Sequence, residues 1–147
     1  MKNVLILLLL AFCGVANGQI IDFPDANFKN TLVNYLCVDT DGDGFQDTDV
    51  DINNDGEIDV SEAAKVVRLN IRHRSLVSLE GIANFTSLII LRCDGNELTS
   101  LNVQGLTNLG KLDCVYNKLT TLNVNGLTKL EYLECGGNEL TSLNVQG

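Results

Sequence analysis

Between Asp39 and Glu62 the chain reads DTDGDGFQDTDVDINNDGEIDVSE, ten carboxylates in twenty-four residues with no Lys, Arg or His among them. Carboxylates at this density repel one another and hold a segment open unless a multivalent cation gathers them. The spacing at 51–62 specifies how. Asp51, Asn53 and Asp55 offer side-chain oxygens, Glu57 its main-chain carbonyl, Asp59 an oxygen directly or through water, and Glu62 both of its oxygens. That is the roughly six to eight oxygens that calcium takes. Gly56 permits the sharp turn such a loop needs, and Ile58 is placed to point inward. A solvated acidic linker would have no reason to carry Gly, Ile and Glu at those offsets.

Residues 51–62 fit the twelve-residue EF-hand loop, and SEAAKV from Ser61 supplies the start of an exit helix. The preceding residues open in the same way, with Asp39, Asp41, Asp43, the Phe45 carbonyl and Asp47 in ligand positions. They close differently, because the twelfth position is Val50 and the eighth is the polar Gln46. This spacing is similar to the aspartate-rich repeats of thrombospondin type 3 and dockerin-like modules, where neighbouring loops share carboxylates. Asp49 or Asp51 would then supply the missing ligand. Two readings stand: a second bound ion at 39–50, or an acidic lead-in that tunes the first.

The elements that must position these loops follow from the rest of the chain. Phe28, Leu32 and Leu36 recur at helical spacing after Pro24 and the capping residue Asp25, which predicts a helix of about ten to twelve residues. A helix that short is not stable alone, so its stripe is expected to cap an apolar surface. From about Val66 the chain repeats. Leu88, Leu91, Cys93, Asn96, Leu98, Leu101, Val103, Gly105 and Leu106 return from Leu109 through Leu127 and again from Leu130 to Gly147, with a period of twenty-one residues. This is the L-x-x-L-x-C-x-x-N-x-L pattern of a leucine-rich repeat, with Cys where Leu is usual. An earlier rung, Val66, Leu69, Ile71 and Leu76, is twenty-two residues long and carries Arg74 where Asn belongs.

The fold class expected is therefore an α+β repeat, a leucine-rich-repeat solenoid over 66–147 with a short parallel sheet and a mostly irregular or 3₁₀ convex side. An N-terminal helical, EF-hand-like cap would occupy 19–65. Asn96, Asn117 and Asn138 should form a ladder whose amides satisfy the backbone where each strand turns away. Residues 1–18 have the order of a signal peptide, Lys2, an apolar run from Val4 to Phe12, then small residues, with cleavage before Gln19; a lipid anchor at Cys13 is the alternative. Without Lys2 the chain carries nine basic and nineteen acidic side chains, and the ten acids of 39–62 account for the whole excess. The remainder offers no broad basic face for nucleic acid, and no membrane span is expected. Because the last rung stops short without a closing cap, a longer parent chain is expected.

PDANFK at 24–29, the loop ending DGEIDVSEA at 55–63 and the L-x-x-L-x-C-x-x-N-x-L-T-x-L repeats together resemble a group of secreted bacterial leucine-rich-repeat proteins, over essentially the whole mature chain. The chain is also similar, more distantly, to the internalins. That resemblance implies a helical cap related to EF-hands and partner binding on the concave sheet. This chain departs from it in its Cys positions, its Arg74 rung and a concave face poor in aromatics.

Alternation assigns one concave column to Asn70, Arg92, Asp113 and Glu134 and its neighbour to Arg68, Ile90, Lys111 and Tyr132, with Tyr116 beyond the strands. A protein- or glycan-binding surface is expected there, with Arg92, Asp113, Tyr116, Tyr132 and Glu134 as the candidate contacts; charge pairing along the stack is the plainer reading. Cys93, Cys114 and Cys135 form an inward column read as buried free thiols, and Cys37 stands apart. His73, the one histidine, lies between two arginines, so multi-histidine centres are excluded. Asp113 and Glu134 are spaced for a glycosidase pair, but an open sheet lacks the enclosure needed to raise one pKa, and no enzyme activity is expected. The function expected is a calcium-stabilised binding or adhesion protein, secreted or at the cell surface; the alternative is a non-catalytic module of a larger exported protein.

Overall fold

The computed structural model describes residues 18–146; the expected signal segment up to Asn17, Cys13 included, and Gly147 lie outside the described residues. Helix α1 spans Ala26–Asn34, with Asp25 as its N-cap, and buries Phe28, Thr31 and Leu32. It is shorter than the stripe predicts. Tyr35 already has extended backbone, and Leu36, expected on the buried face, is 59% exposed. The chain leaves the helix early because the next residues serve a sheet. Asp39 N–H donates to the Arg68 carbonyl (3.4 Å) and Asn70 N–H to the Cys37 carbonyl (2.8 Å), so Val38 lies antiparallel to Leu69. The cap thus covers the first strand's edge with backbone as well as with apolar side chains, which removes the unpaired donors a solenoid would otherwise expose.

The exit helix after the acidic stretch, α2, is a single turn at Val60–Ala63. Strands β1 (Arg68–Asn70), β2 (Ile90–Arg92), β3 (Lys111–Asp113), β4 (Thr121–Asn123), β5 (Tyr132–Glu134) and β6 (Ser142–Asn144) follow. The main sheet has the order β1-β2-β3-β5, all parallel, with Leu69, Leu91, Leu112 and Leu133 in register and pointing into the stack. Both concave columns have the expected membership.

The opposite side departs from expectation. A 3₁₀ turn at Ile82–Asn84 occupies it in the first rung, but β4 and β6 pair there as a second small parallel sheet, with Leu122 opposite Leu143, and Asn102 bridges Asn123. The T-x-L-N-V copies alternate polar and apolar residues, so successive rungs bring identical short strands side by side.

One continuous core joins Phe23, Phe28, Leu32 and Val50 of the cap to the repeat leucines as far as Leu127; in the last rung Leu130, Leu133, Cys135 and Leu140 are only partly buried. The asparagine ladder is formed. Asn96 accepts from Arg74 and Leu76 N–H and donates to the Ile71 and Cys93 carbonyls (2.9–3.1 Å), and Asn117 links Leu98 N–H, Cys93 O and Cys114 O (3.0–3.1 Å). Asn138 repeats the pattern with Leu119, Cys114 and Cys135.

Candidate cation loops and concave face

The two acidic segments have the same internal wiring. In 51–62, the Asp51 carboxylate accepts from Asp55 and Gly56 N–H (3.1 and 2.9 Å), and Asn53 and Asp55 accept from the N–H groups two residues on. In 39–47, Asp39 accepts from Gly42 and Gly44 N–H (2.6 and 3.1 Å), while Asp41 and Asp43 accept from Asp43 and Phe45 N–H. Gly44 and Gly56 share a left-handed backbone, φ 93° and 82°, at the sixth loop position, where a side chain would be strained.

Their closures differ. Both Glu62 oxygens are held inside the 51–62 loop, by Asn53 N–H (3.2 Å) and Asp59 N–H (3.0 Å), and Glu62 is buried. Asp59 returns a bond to Glu62 N–H as the N-cap of α2. Hydrogen bonds from the Ser61 hydroxyl and Glu62 N–H hold the Asp59 carboxyl below the usual range. Ile58 is fully buried, as expected, and Glu57 uses its side chain on Lys29 (2.6 Å). In 39–50, Val50 is a core residue whose N–H donates to the Leu32 carbonyl, so the twelfth position contributes no ligand. The Asp47 carboxyl is lowered by bonds from the Thr40 hydroxyl and N–H. Asp49 is raised by burial and by the nearby charge of Asp51.

The tightest gathering of carboxylates is in the less complete segment. Asp39, Asp41 and Asp43 each place an oxygen within 4.8 Å of the others, and among the described residues no other three acidic, His or Cys side chains do so. Spacing ranks 51–62 first because it has the closing Glu62; the clustering of the Asp39, Asp41 and Asp43 oxygens is set by the turn of the backbone and shows only in the structure.

Asp25 has a role beyond the helix cap that spacing suggests. One oxygen caps α1 through Asn27 and Phe28 N–H (2.8 and 3.2 Å); the other accepts from Val77 and Ser78 N–H (2.6 and 3.0 Å), fifty residues away on the first rung. Burial opposes its ionisation, but four backbone donors outweigh burial and hold its pKa below the usual value. Asp94, also buried, sits 2.6 Å from Arg72 Nε and 3.8 Å from the His73 ring. Val115 and Gly136 at its repeat positions gave no hint of this pairing.

On the concave face, Lys111 Nζ lies 3.9 Å above the Tyr132 ring, and the Tyr132 hydroxyl donates to Glu134. Asp113 is buried, and its register neighbour Glu134 is exposed. Tyr116 does not join this group. It lies three residues past the end of β3, 71% exposed, in a left-handed corner (φ 53°) with its ring against Gly137, where a Cβ would approach to 2.5 Å. The two tyrosines therefore lie at opposite ends of the strands, Tyr132 at the start of β5 and Tyr116 past the end of β3. Among the described residues, Cys37, Cys93, Cys114 and Cys135 are free thiols. Burial raises Cys37 and Cys114 to about 12 and pushes Cys93 well above its ordinary value, and the Cys93 and Cys114 Sγ atoms lie 3.4 Å from the carbonyls of Asp113 and Glu134 on the next rung.

No protein-family model matches the chain, and no curated protein does. Among solved structures, the functional domain of InlJ from Listeria monocytogenes, which includes a cysteine ladder, is similar over 88% of this chain and 26% of its own length, at 34% identity and a TM-score of 0.68. The internalin inlF from the same species is similar over 85% of this chain and 37% of its own, at 22% identity and a TM-score of 0.62. The chain thus spans about a quarter to a third of the lengths of these proteins. Among the described residues, no helix is long and apolar enough to cross a membrane. Sheet register, asparagine ladder and likeness agree on one conclusion: the chain is a parallel-strand leucine-rich-repeat solenoid of about four turns, similar in fold to the internalins of Listeria monocytogenes.

Proposed function

We propose that this chain is the cap end of a secreted or cell-surface binding module, in which calcium staples an acidic cap to a repeat array and the concave sheet receives a protein or glycan. The observation that carries the binding reading is the four-stranded concave face itself. Arg92, Asp113 and Glu134 stand on it in register, with Tyr132 in the adjacent column. The likeness to an internalin domain at 34% identity supports the same use of the fold. Because the chain spans 26% of that protein, the reading extends to a module within a longer exported chain. Arrays of extracellular proteins and glycans, probed with the wild type and with Arg92→Ala/Tyr132→Ala, test it. Binding lost in the variant supports the concave face; equal binding by both proteins overturns it.

The residues suit calcium because every donor is a hard oxygen and because carboxylates are already gathered. Asp51, Asn53, Asp55, the Glu57 carbonyl, Asp59 and Glu62 would hold one ion; Asp39, Asp41, Asp43, the Phe45 carbonyl and Asp47 would hold a second. The bound ion would supply positive charge that cancels repulsion among these carboxylates. The consequence is mechanical. Asp39 begins the loop and also ends the segment that pairs with β1, while Ile21 N–H and the Gln19 carbonyl bond to Ile58 and Val60 on the other loop. Ordering both loops fixes the cap over the solenoid end.

A further inference from the structure

The strongest unpaired charge on the concave face is at its cap end, away from the tyrosines. Arg68 and Arg92 are half-buried, and neither is in an ion pair among the described residues. This is notable because each has an acid beside it. Asp39 lies across the ladder from Arg68, but its carboxylate is turned into its own loop by Gly42 and Gly44 N–H. Asp113 is the register partner of Arg92, yet no contact within 4.0 Å joins them. Arg92 instead lines, with Arg68, Asn70, Ile90, Gln46 and the inward-turned Asp39, a small cleft where the 39–47 loop meets β1 and β2. The loop fixes one wall of it: a side chain at Gly42 would meet the Arg68 guanidinium at 2.9 Å. Phe45, the residue before Gln46, is 74% exposed.

We propose that this junction is the recognition hot spot of the concave face and that it takes an acidic protein segment, its carboxylates on Arg68 and Arg92 and an apolar side chain beside Phe45. The proposal rests on the concave-face reading above and names the partner's chemistry. Two half-desolvated guanidiniums form paired, charge-assisted bonds with carboxylates, and Arg beside an exposed aromatic is the composition that dominates protein–protein binding energy. A sulfated glycan would also meet arginines, but the apolar Phe45 and Ile90 offer it nothing. Along the column of Arg92 the sign reverses to Asp113 and Glu134, so the partner segment lies with its acidic end at the cap.

Random displayed peptides, selected on the immobilised protein in calcium-containing buffer, test this. The expected result is enrichment of sequences with Asp or Glu next to apolar residues, a recovery at least tenfold lower on Arg68→Gln/Arg92→Gln, and a switch toward basic peptides on Arg92→Glu. Melting curves matching the wild type confirm that the variants fold; if the double variant does not, Arg68→Lys and Arg92→Lys decide, since they keep the charge and remove the planar fork. Peptides without charge preference, peptides insensitive to both arginines, or no enrichment overturn the proposal. Heparin binding without acidic-peptide binding overturns it in favour of a sulfated glycan. Recovery that depends on Tyr132 and Glu134 alone overturns it while leaving the concave reading intact; recovery that depends on neither set removes both.

Discussion

Replacing Asp25 separates the attachment of the cap from any effect of cations. Asp25→Ala removes the N-cap of α1, worth about 1 kcal/mol, and two further charge-assisted bonds from Val77 and Ser78 N–H, worth about 1 kcal/mol each. The expected loss is about 2–3 kcal/mol, or about 8–12 °C in melting temperature for a chain of this size. Asp25→Asn keeps one acceptor oxygen, so either the cap or the link to the first rung survives, and about half the loss is expected. The pH dependence identifies the cause. A carboxyl whose folded pKa is lowered contributes stability that is complete above its unfolded value, about 3.8, and that disappears as pH falls through the lower folded value. The gap between wild type and Asp25→Asn should therefore narrow below about pH 3.8. Thermal melts by circular dichroism between pH 2.5 and 7 read both effects. A cost under about 0.5 kcal/mol for Asp25→Ala, or a gap to Asp25→Asn that does not change with pH, would refute the tethering argument.

Other consequences are as direct. Asn117→Ala leaves Leu98 N–H unpaired in the core and takes one of two donors from each of the Cys93 and Cys114 carbonyls, which keep Asn96 and Asn138, and should cost about 1–3 kcal/mol, with a smaller loss for Asn138→Ala in the more exposed last rung; chemical denaturation measures both. Arg72→Ala strands the buried Asp94 carboxylate and should cost about 1–3 kcal/mol, less than a fully buried pair because Arg72 is itself 43% exposed, with equilibrium denaturation as the readout. Because burial raises Cys37, Cys93 and Cys114, alkylation of the folded protein at pH 8 should modify half-buried Cys135 first and leave the other three until the chain is unfolded, as peptide mapping will show.

The solenoid was legible because a repeat states its own geometry. Leu91, Leu112 and Leu133 at constant spacing can be buried together only by stacking in register, and Asn96, Asn117 and Asn138 recur where the turning backbone needs partners. The acidic stretch was legible as two loops for the same kind of reason, since Gly44 and Gly56 occupy the positions that demand left-handed backbone. Features without a period were not legible. Helix α1 yields Leu36 to solvent because Cys37–Asp39 pairs with β1, a tertiary choice that overrides the local stripe. Asp25 bonding to Val77 and Ser78, and Arg72 to Asp94, depend on where the chain returns in space. The places of Tyr116, past the end of β3, and Tyr132, at the start of β5, follow the repeat and were legible too.

The central claim is that calcium in the acidic loops holds the cap to the repeats, and calcium titrated into chelator-treated protein tests it most directly. Calorimetry should give a dissociation constant on the order of 0.1–1 mM, and 10 mM calcium should add about 2 kcal/mol of stability. Glu62→Gln should melt somewhat below the wild type in chelator, because its one amide oxygen can keep the Asp59 N–H bond or the Asn53 N–H bond and not both, and should lose most of the calcium-dependent gain. No heat of binding, with one melting temperature for the wild type in calcium and in chelator, would contradict the account.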